Sequence, residues 1–174
     1  MNRDVYVIGV GMHPFGKHGA SLGDMAFTAG QEAMKDAGVT FRDIGYLYNG
    51  YIGGRMLEGV TYAKEFGLTG VPVVHVENAS ATGSSAFREA TLAVSGGACD
   101  VAMALGFDDM LRMGRSRMGE GMKAKPTIEG LMLPAAFFAL WAVRRMHERG
   151  TTAETFAEIA AKNWNHARHN PNAQ

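Results

Sequence analysis

Val71–Gly97, VPVVHVENASATGSSAFREATLAVSGG, is the stretch that decides the fold. Val73–Val76 reads as a short buried strand and Glu77–Thr82 as a tight polar corner. Gly83–Ser95 reads as a helix of small residues that stops at Gly96-Gly97. A strand that turns sharply into a helix leaves its corner at a helix N-terminus. Unpaired backbone N–H groups and the positive end of the helix dipole meet there, so the corner favours negative charge. Ser80 stands at that corner. Two roles fit it: a nucleophile or oxyanion site using the field, or an N-cap satisfying one orphan N–H.

Outward from this stretch the chain alternates strands and helices. Val5–Val10 is a β-branched run that predicts a central strand. Gly9-Val10-Gly11 follows, but Pro14 falls where a dinucleotide fingerprint needs its third glycine, so a plain turn is the better reading. Ser21 and Asp24 have capping-box spacing for a helix over Leu22–Ala37 that Gly38 closes. Ile44–Tyr51 predicts a second strand, residues 56–66 a short helix, and Val101–Phe107 an interior strand. Pro134 opens an apolar helix, and Thr151 with Glu154 has capping-box spacing for the last one. Four strands alternating with helices give an α/β fold, an open and largely parallel sheet covered on both faces.

The totals bound the function. With 174 residues one domain is expected. The 17 basic and 17 acidic residues cancel, so bulk charge gives no argument for nucleic acid or an anionic membrane. The lone Cys99 has no internal disulfide partner, which fits a reducing, cytoplasmic setting. MNRDVYVIGVG lacks a signal-peptide layout, and the apolar run Leu131–Val143 is too short to span a bilayer. It suggests instead a helix buried against another half or subunit. His166 and His169 are three apart, but metal binding needs more ligands, and surface histidines are the expectation.

NASATGSSAF (78–87) followed by GGACDVAMALGFDDM (96–110) resembles the nucleophile segment of the thiolases, above all the sterol-carrier-protein-type (lipid-transfer) members. VYVIGVGMHPFG (5–16) and WNHARHNPNAQ (164–174) extend the likeness over almost the whole chain. The resemblance implies a thiolase-like N-terminal half over 1–174: a mostly parallel mixed sheet with helices on both faces and a loop excursion at about 108–134. It implies an acyl-CoA acyltransferase that makes or breaks a carbon–carbon bond beside a thioester. Coenzyme A thioester would be the substrate, with no permanently bound cofactor, and the subunits would form a homodimer or hetero-oligomer.

Two departures qualify that expectation. Ser80 stands where the family carries its acyl-accepting cysteine, as a natural variant or an engineered change. The family's second half, with its histidine and second cysteine, is not in this chain. Family members without the nucleophilic cysteine resemble retro-aldolases that work with an OB-fold partner, and a non-catalytic subunit is a third reading. Chemically, a thiol near pKa 8.5 ionises readily at a helix N-terminus. A serine hydroxyl needs an adjacent general base. His75 is the nearest candidate in sequence; strand alternation puts it on a face with Glu77, away from Val74 and Val76. Cys99 lies at the far end of the helix and reads as a small apolar group. The excursion holds Arg112, Arg115, Arg117, Lys123 and Lys125 among recurring methionines. Of these, Arg117, Lys123 and Lys125 are the candidates for coenzyme A phosphates, against the alternative of a solvated or subunit-contacting loop.

Overall fold

The computed structural model describes residues 3–16, 19–52, 56–108 and 134–173. The chain divides into two compact units, Met1–Met113 and Gly114–Gln174, each with its own architecture.

In the first unit a parallel sheet of three strands, β1 (Tyr46–Gly50), β2 (Val73–Val76) and β3 (Ala102–Gly106), runs in the order β2-β1-β3. Helices α1 (Leu22–Ala37) and α2 (Glu58–Phe66) cover one face and α3 (Thr82–Ser95) the other. Side-chain alternation sorts the two faces. Leu47 and its register neighbours Val73 and Met103 belong to the face under α1 and α2, where Leu47 is 1% exposed. Around Leu47 lie Ala26, Met34, Phe41, Met103 and Leu105, the core of the unit. On the α3 face the stacked rings of Tyr46 and Tyr48 give way to glycine at the end of β1. Gly50 sits there, and Ala86 and Ala90 of the helix are buried against the sheet, so helix and sheet approach closely.

Local chemistry sets the α1 boundaries. The Ser21 hydroxyl accepts from the Asp24 N–H at 3.1 Å, and the Asp24 carboxylate accepts from the Ser21 N–H at 3.2 Å. The Ser21 hydroxyl also donates to the Asp24 carboxylate at 2.7 Å, and this bond, followed by that from the Ser21 N–H, holds the Asp24 carboxyl below its ordinary range. Gly38, at φ 68°, closes the helix in the left-handed region, where glycine carries no Cβ penalty.

The first expected strand does not form. Val5–Val10 belongs to no ladder, and Tyr6, Val7 and Ile8 are exposed. The glycines explain this. A Cβ on Gly9 would lie 2.4 Å from the Ala33 carbonyl oxygen, and one on Gly11 would lie 2.2 Å from that of Ala29. The segment is pressed onto the backbone of α1, and the Val10 N–H donates to the Asp36 carboxylate at 2.9 Å instead of to a strand. Among the described residues the sheet therefore has three strands rather than four.

The second unit contains α4 (Pro134–Arg149) and α5 (Ala153–Ala167), with Gly150 between them at φ 66°. Pro134 opens α4 as expected. On α4, Phe138 and Trp141 pack edge to face on each other and stay exposed. The cap of α5 is Thr152, one residue later than the spacing suggested, and its hydroxyl accepts from the Thr155 N–H. Among the described residues no helix is long and apolar enough to cross a membrane.

Candidate functional site

The corner Glu77–Thr82 lies at the carboxyl end of β2, where α3 begins. In open parallel α/β sheets that end is where ligands are bound. Ala79 is held in the left-handed region at φ 45°, a conformation an alanine adopts only when its surroundings enforce it. Four bonds surround it. The Ala79 N–H donates to the Glu77 carboxylate at 2.6 Å, and the Ala79 carbonyl accepts from the Thr82 hydroxyl at 2.6 Å. The Thr82 N–H donates to that same carbonyl at 3.0 Å. The Asn78 N–H donates to the Thr82 hydroxyl oxygen at 2.9 Å. The Asn78 side chain reaches on to the Ser85 hydroxyl at 3.2 Å.

Thr82 is the buried member of this group, 4% exposed. Its methyl meets the sheet at Gly50, where an added Cβ would stand 2.6 Å from Thr82 Cγ2. A Cβ on Gly106 would stand 3.5 Å from the Gly83 Cα. The glycine at the end of β1 thus lets the first turn of α3 rest on the sheet, whereas the Gly106 distance is an ordinary van der Waals contact.

Ser80 is exposed and precedes the helix by two residues. The cap position belongs to Ala81, which has no side-chain oxygen, so the N-cap role considered for Ser80 is not realised. Among the described residues the Ser80 hydroxyl has no hydrogen-bond partner, and no acceptor meets the N–H groups of Gly83 and Ser84. The start of α3 is therefore an uncapped donor end beside an unengaged hydroxyl.

His75 does not serve Ser80. It pairs in register with Asn49, on the face away from α3, whereas Val76 pairs with Gly50 on the α3 face. Its ring stacks on Tyr51 with centroids 4.0 Å apart, and Tyr51 stacks on Phe107 at 5.1 Å. Asn49, 1% exposed, donates to the Val74 carbonyl at 3.2 Å, and its buried side-chain oxygen, lying against Gly59, lacks a hydrogen-bond partner among the described residues.

Asp108 follows β3 and accepts from the Ile52 N–H with both oxygens, at 3.2 and 3.1 Å. Burial pushes its carboxyl above the ordinary value, with Glu58 adding to the rise against the lowering effect of the Ile52 bond. Cys99 is half-buried near Gly45, and burial pushes its thiol up. Among the described residues no group of three His, Cys, Asp or Glu side chains is placed to hold a metal ion. Arg117, Lys123 and Lys125, with Arg112 and Arg115, lie outside the described residues.

The residues that build the corner, Thr82, Glu77, Asn78 and Gly50, were not singled out by sequence reasoning. The signal that pointed there was the run of small and hydroxyl residues from Asn78 to Ser85. Which hydroxyl bonds what depends on the left-handed turn at Ala79, which no spacing rule announces.

A parallel sheet with helices on both faces makes this an α/β protein. The family model for the thiolase N-terminal domain matches residues 5–174, and the chain belongs to that family. Sterol carrier protein 2 of Gallus gallus is 33% identical over 192 residues, covering 100% of this chain and 35% of the relative. Benzoylsuccinyl-CoA thiolase subunit BbsB of Thauera aromatica is 34% identical over 179 residues, covering 99% of this chain and 46% of the relative. Among solved structures, an Ltp2-ChsH2(DUF35) aldolase superposes with a TM-score of 0.74 at 26% identity, over 95% of this chain and 44% of that one. The chain thus spans between a third and a half of the length of these relatives.

Proposed function

We propose that the chain is the N-terminal part of an acyl-CoA acyltransferase of the thiolase type, an enzyme that makes or breaks a carbon–carbon bond beside a coenzyme A thioester. Position 80 would face the reacting acyl group, and coenzyme A would act as substrate rather than bound cofactor. The observation that carries this is the free donor end of α3 beside the unengaged side chain of Ser80. Such a site stabilises a thiolate or the oxyanion of an acyl intermediate. A serine there forms an acyl ester far more slowly than a cysteine, because the same field does not ionise a hydroxyl. The activity of the protein as it stands would accordingly be impaired. Arg117, Lys123 and Lys125 remain the cations proposed for the coenzyme A phosphates, in a cytoplasmic protein.

A specific observation favours a second reading. With His75 stacked on Tyr51, no base among the described residues serves the Ser80 hydroxyl. Ser80 would then position substrate for a retro-aldol cleavage, in a complex with an OB-fold partner. The likeness to the Ltp2-ChsH2(DUF35) aldolase supports this reading. Two variants of the full-length protein separate the two. If acyl transfer is right, Ser80→Cys gains thiolysis of a 3-ketoacyl-CoA and Ser80→Ala abolishes the residual rate. Aldolase activity that survives Ser80→Ala, with no thiolysis gained by Ser80→Cys, selects the retro-aldolase. No turnover of either substrate by any variant, with or without partner, leaves a non-catalytic subunit.

A further inference from the structure

Thr82 is the residue on which the corner turns. Its hydroxyl accepts from the Asn78 N–H at 2.9 Å and donates to the Ala79 carbonyl at 2.6 Å, which closes a strap across the two residues before Ser80. Its methyl is seated on Gly50, so the strap is anchored to the sheet and not only to the loop. Thr82 is the first residue of α3, one past the cap position at Ala81. Its hydroxyl is directed back to Asn78 and Ala79, and among the described residues the Gly83 and Ser84 donors stay open. The left-handed Ala79, φ 45°, is the conformation the strap enforces, and that conformation sets the direction in which residue 80 leaves the backbone.

We infer that Thr82 is a positioning residue: its hydroxyl strap fixes Ala79 in the left-handed region and so aims the side chain of residue 80 at the free N–H groups that begin α3. This rests on the proposal that position 80 is where the acyl group reacts, but the test needs no acyl group. In the full chain carrying Ser80→Cys, the thiol at position 80 reports its own surroundings. Its alkylation by iodoacetamide is followed from pH 5 to 10. Mass spectrometry reads the peptide carrying residue 80 apart from the one carrying Cys99.

The expected inflection lies below the ordinary thiol value of about 8.5, as at other helix N-termini. Thr82→Val keeps the methyl on Gly50 and removes both strap bonds. It raises the inflection by about one unit, which lowers the thiolate fraction at neutral pH roughly tenfold. Thr82→Ser keeps the hydroxyl and restores the parent inflection, which a role in packing alone would not do. If Thr82→Val does not fold by circular dichroism, Thr82→Val with Ala79→Gly takes its place. Glycine accepts the left-handed turn without strain but no longer enforces it, so the same rise is expected. An inflection that stays put in the folded valine variant, or moves as far with serine as with valine, overturns the inference. Should the titration follow the expected pattern while the cysteine takes no acyl group from acetyl-CoA, the acyl-transfer reading falls and the positioning role stands.

Discussion

Gly50→Ala and Gly83→Ala are the same change at two nearby places, one beneath the first turn of α3 and one within it, and they are expected to move stability in opposite directions. At Gly50 a Cβ would come within 2.6 Å of Thr82 Cγ2, 2.9 Å of the Thr82 carbonyl oxygen and 3.2 Å of its carbonyl carbon. Two of these are backbone atoms of the first turn of α3, so no side-chain rotation relieves the crowding. The helix start must lift from the sheet. Overpacking of this kind costs about 1–3 kcal/mol. At Gly83 a Cβ meets nothing within 4 Å and the backbone φ is not in the left-handed region, so alanine fits without strain. It gains helix propensity, worth up to about 0.5–1 kcal/mol, because glycine loses more freedom on folding. Urea unfolding of both variants beside the parent, with equal m-values as the control, measures the difference as a separation of midpoints. In the Ser80→Cys background the Gly50 variant should also lose part of the thiol activation, whereas Gly83→Ala should keep it. A Gly50→Ala midpoint equal to the parent, or a Gly83→Ala midpoint displaced downwards as far as that of Gly50→Ala, would refute the close approach of α3 to β1 as the feature that seats the corner.

Ala81→Ser supplies the cap that α3 lacks, so stability should rise by about 0.5–2 kcal/mol in thermal or urea unfolding. The same variant should reduce the reactivity of a cysteine at position 80, because the new hydroxyl takes one of the free donors; unchanged thiol reactivity would count against the donors acting on that site. Leu47→Ala removes a large aliphatic side chain, 1% exposed, from the core beneath α1, and should destabilise by about 2–5 kcal/mol, read as a lowered urea midpoint. For Asp108 the sign follows from its raised carboxyl. Between its ordinary 3.8 and the raised folded value the folded chain binds the extra proton, so this group's contribution to stability is full below 3.8 and is lost as pH rises through the folded value. Asp108→Asn keeps an acceptor for the Ile52 N–H and removes that loss. Its midpoint relative to the parent should therefore grow as pH is raised from 4 to 7, and a constant offset across that range would contradict the burial of the charge.

Much of the fold was legible because it rests on local signals. The Ser21–Asp24 box and Gly38 bracket α1 where their chemistry demands, and Val73–Val76 is the strand its β-branched run announces. Val5–Val10 carries the same announcement and is no strand, since strand formation needs a partner and Gly9 and Gly11 commit the segment to a helix surface instead. That commitment is a tertiary fact, invisible in the apolar pattern. The corner between β2 and α3 was legible to the same degree. Position 80 stands out in the sequence as the corner between strand and helix. The cap assignment failed because Ser80 falls two residues short of the helix, and His75 was separated from it by the parity of the strand, which turns alternate side chains to opposite faces. Thr82 escaped notice because a threonine one step into a helix is unremarkable until Ala79 is seen to be left-handed.

The opening segment also acts as a stitch. Arg3 donates its N–H to the Ser95 carbonyl at the close of α3 and pairs with Asp100 at 2.6 Å, while Val10, seven residues on, is tied to Asp36 near the end of α1. Since α1 and α3 lie on opposite sides of the sheet, a few residues of unladdered chain join the two helical layers. Cutting or crowding this thread, as a bulky fusion placed directly before Arg3 would do, should loosen the far ends of both helices together while leaving the strand ladder itself intact.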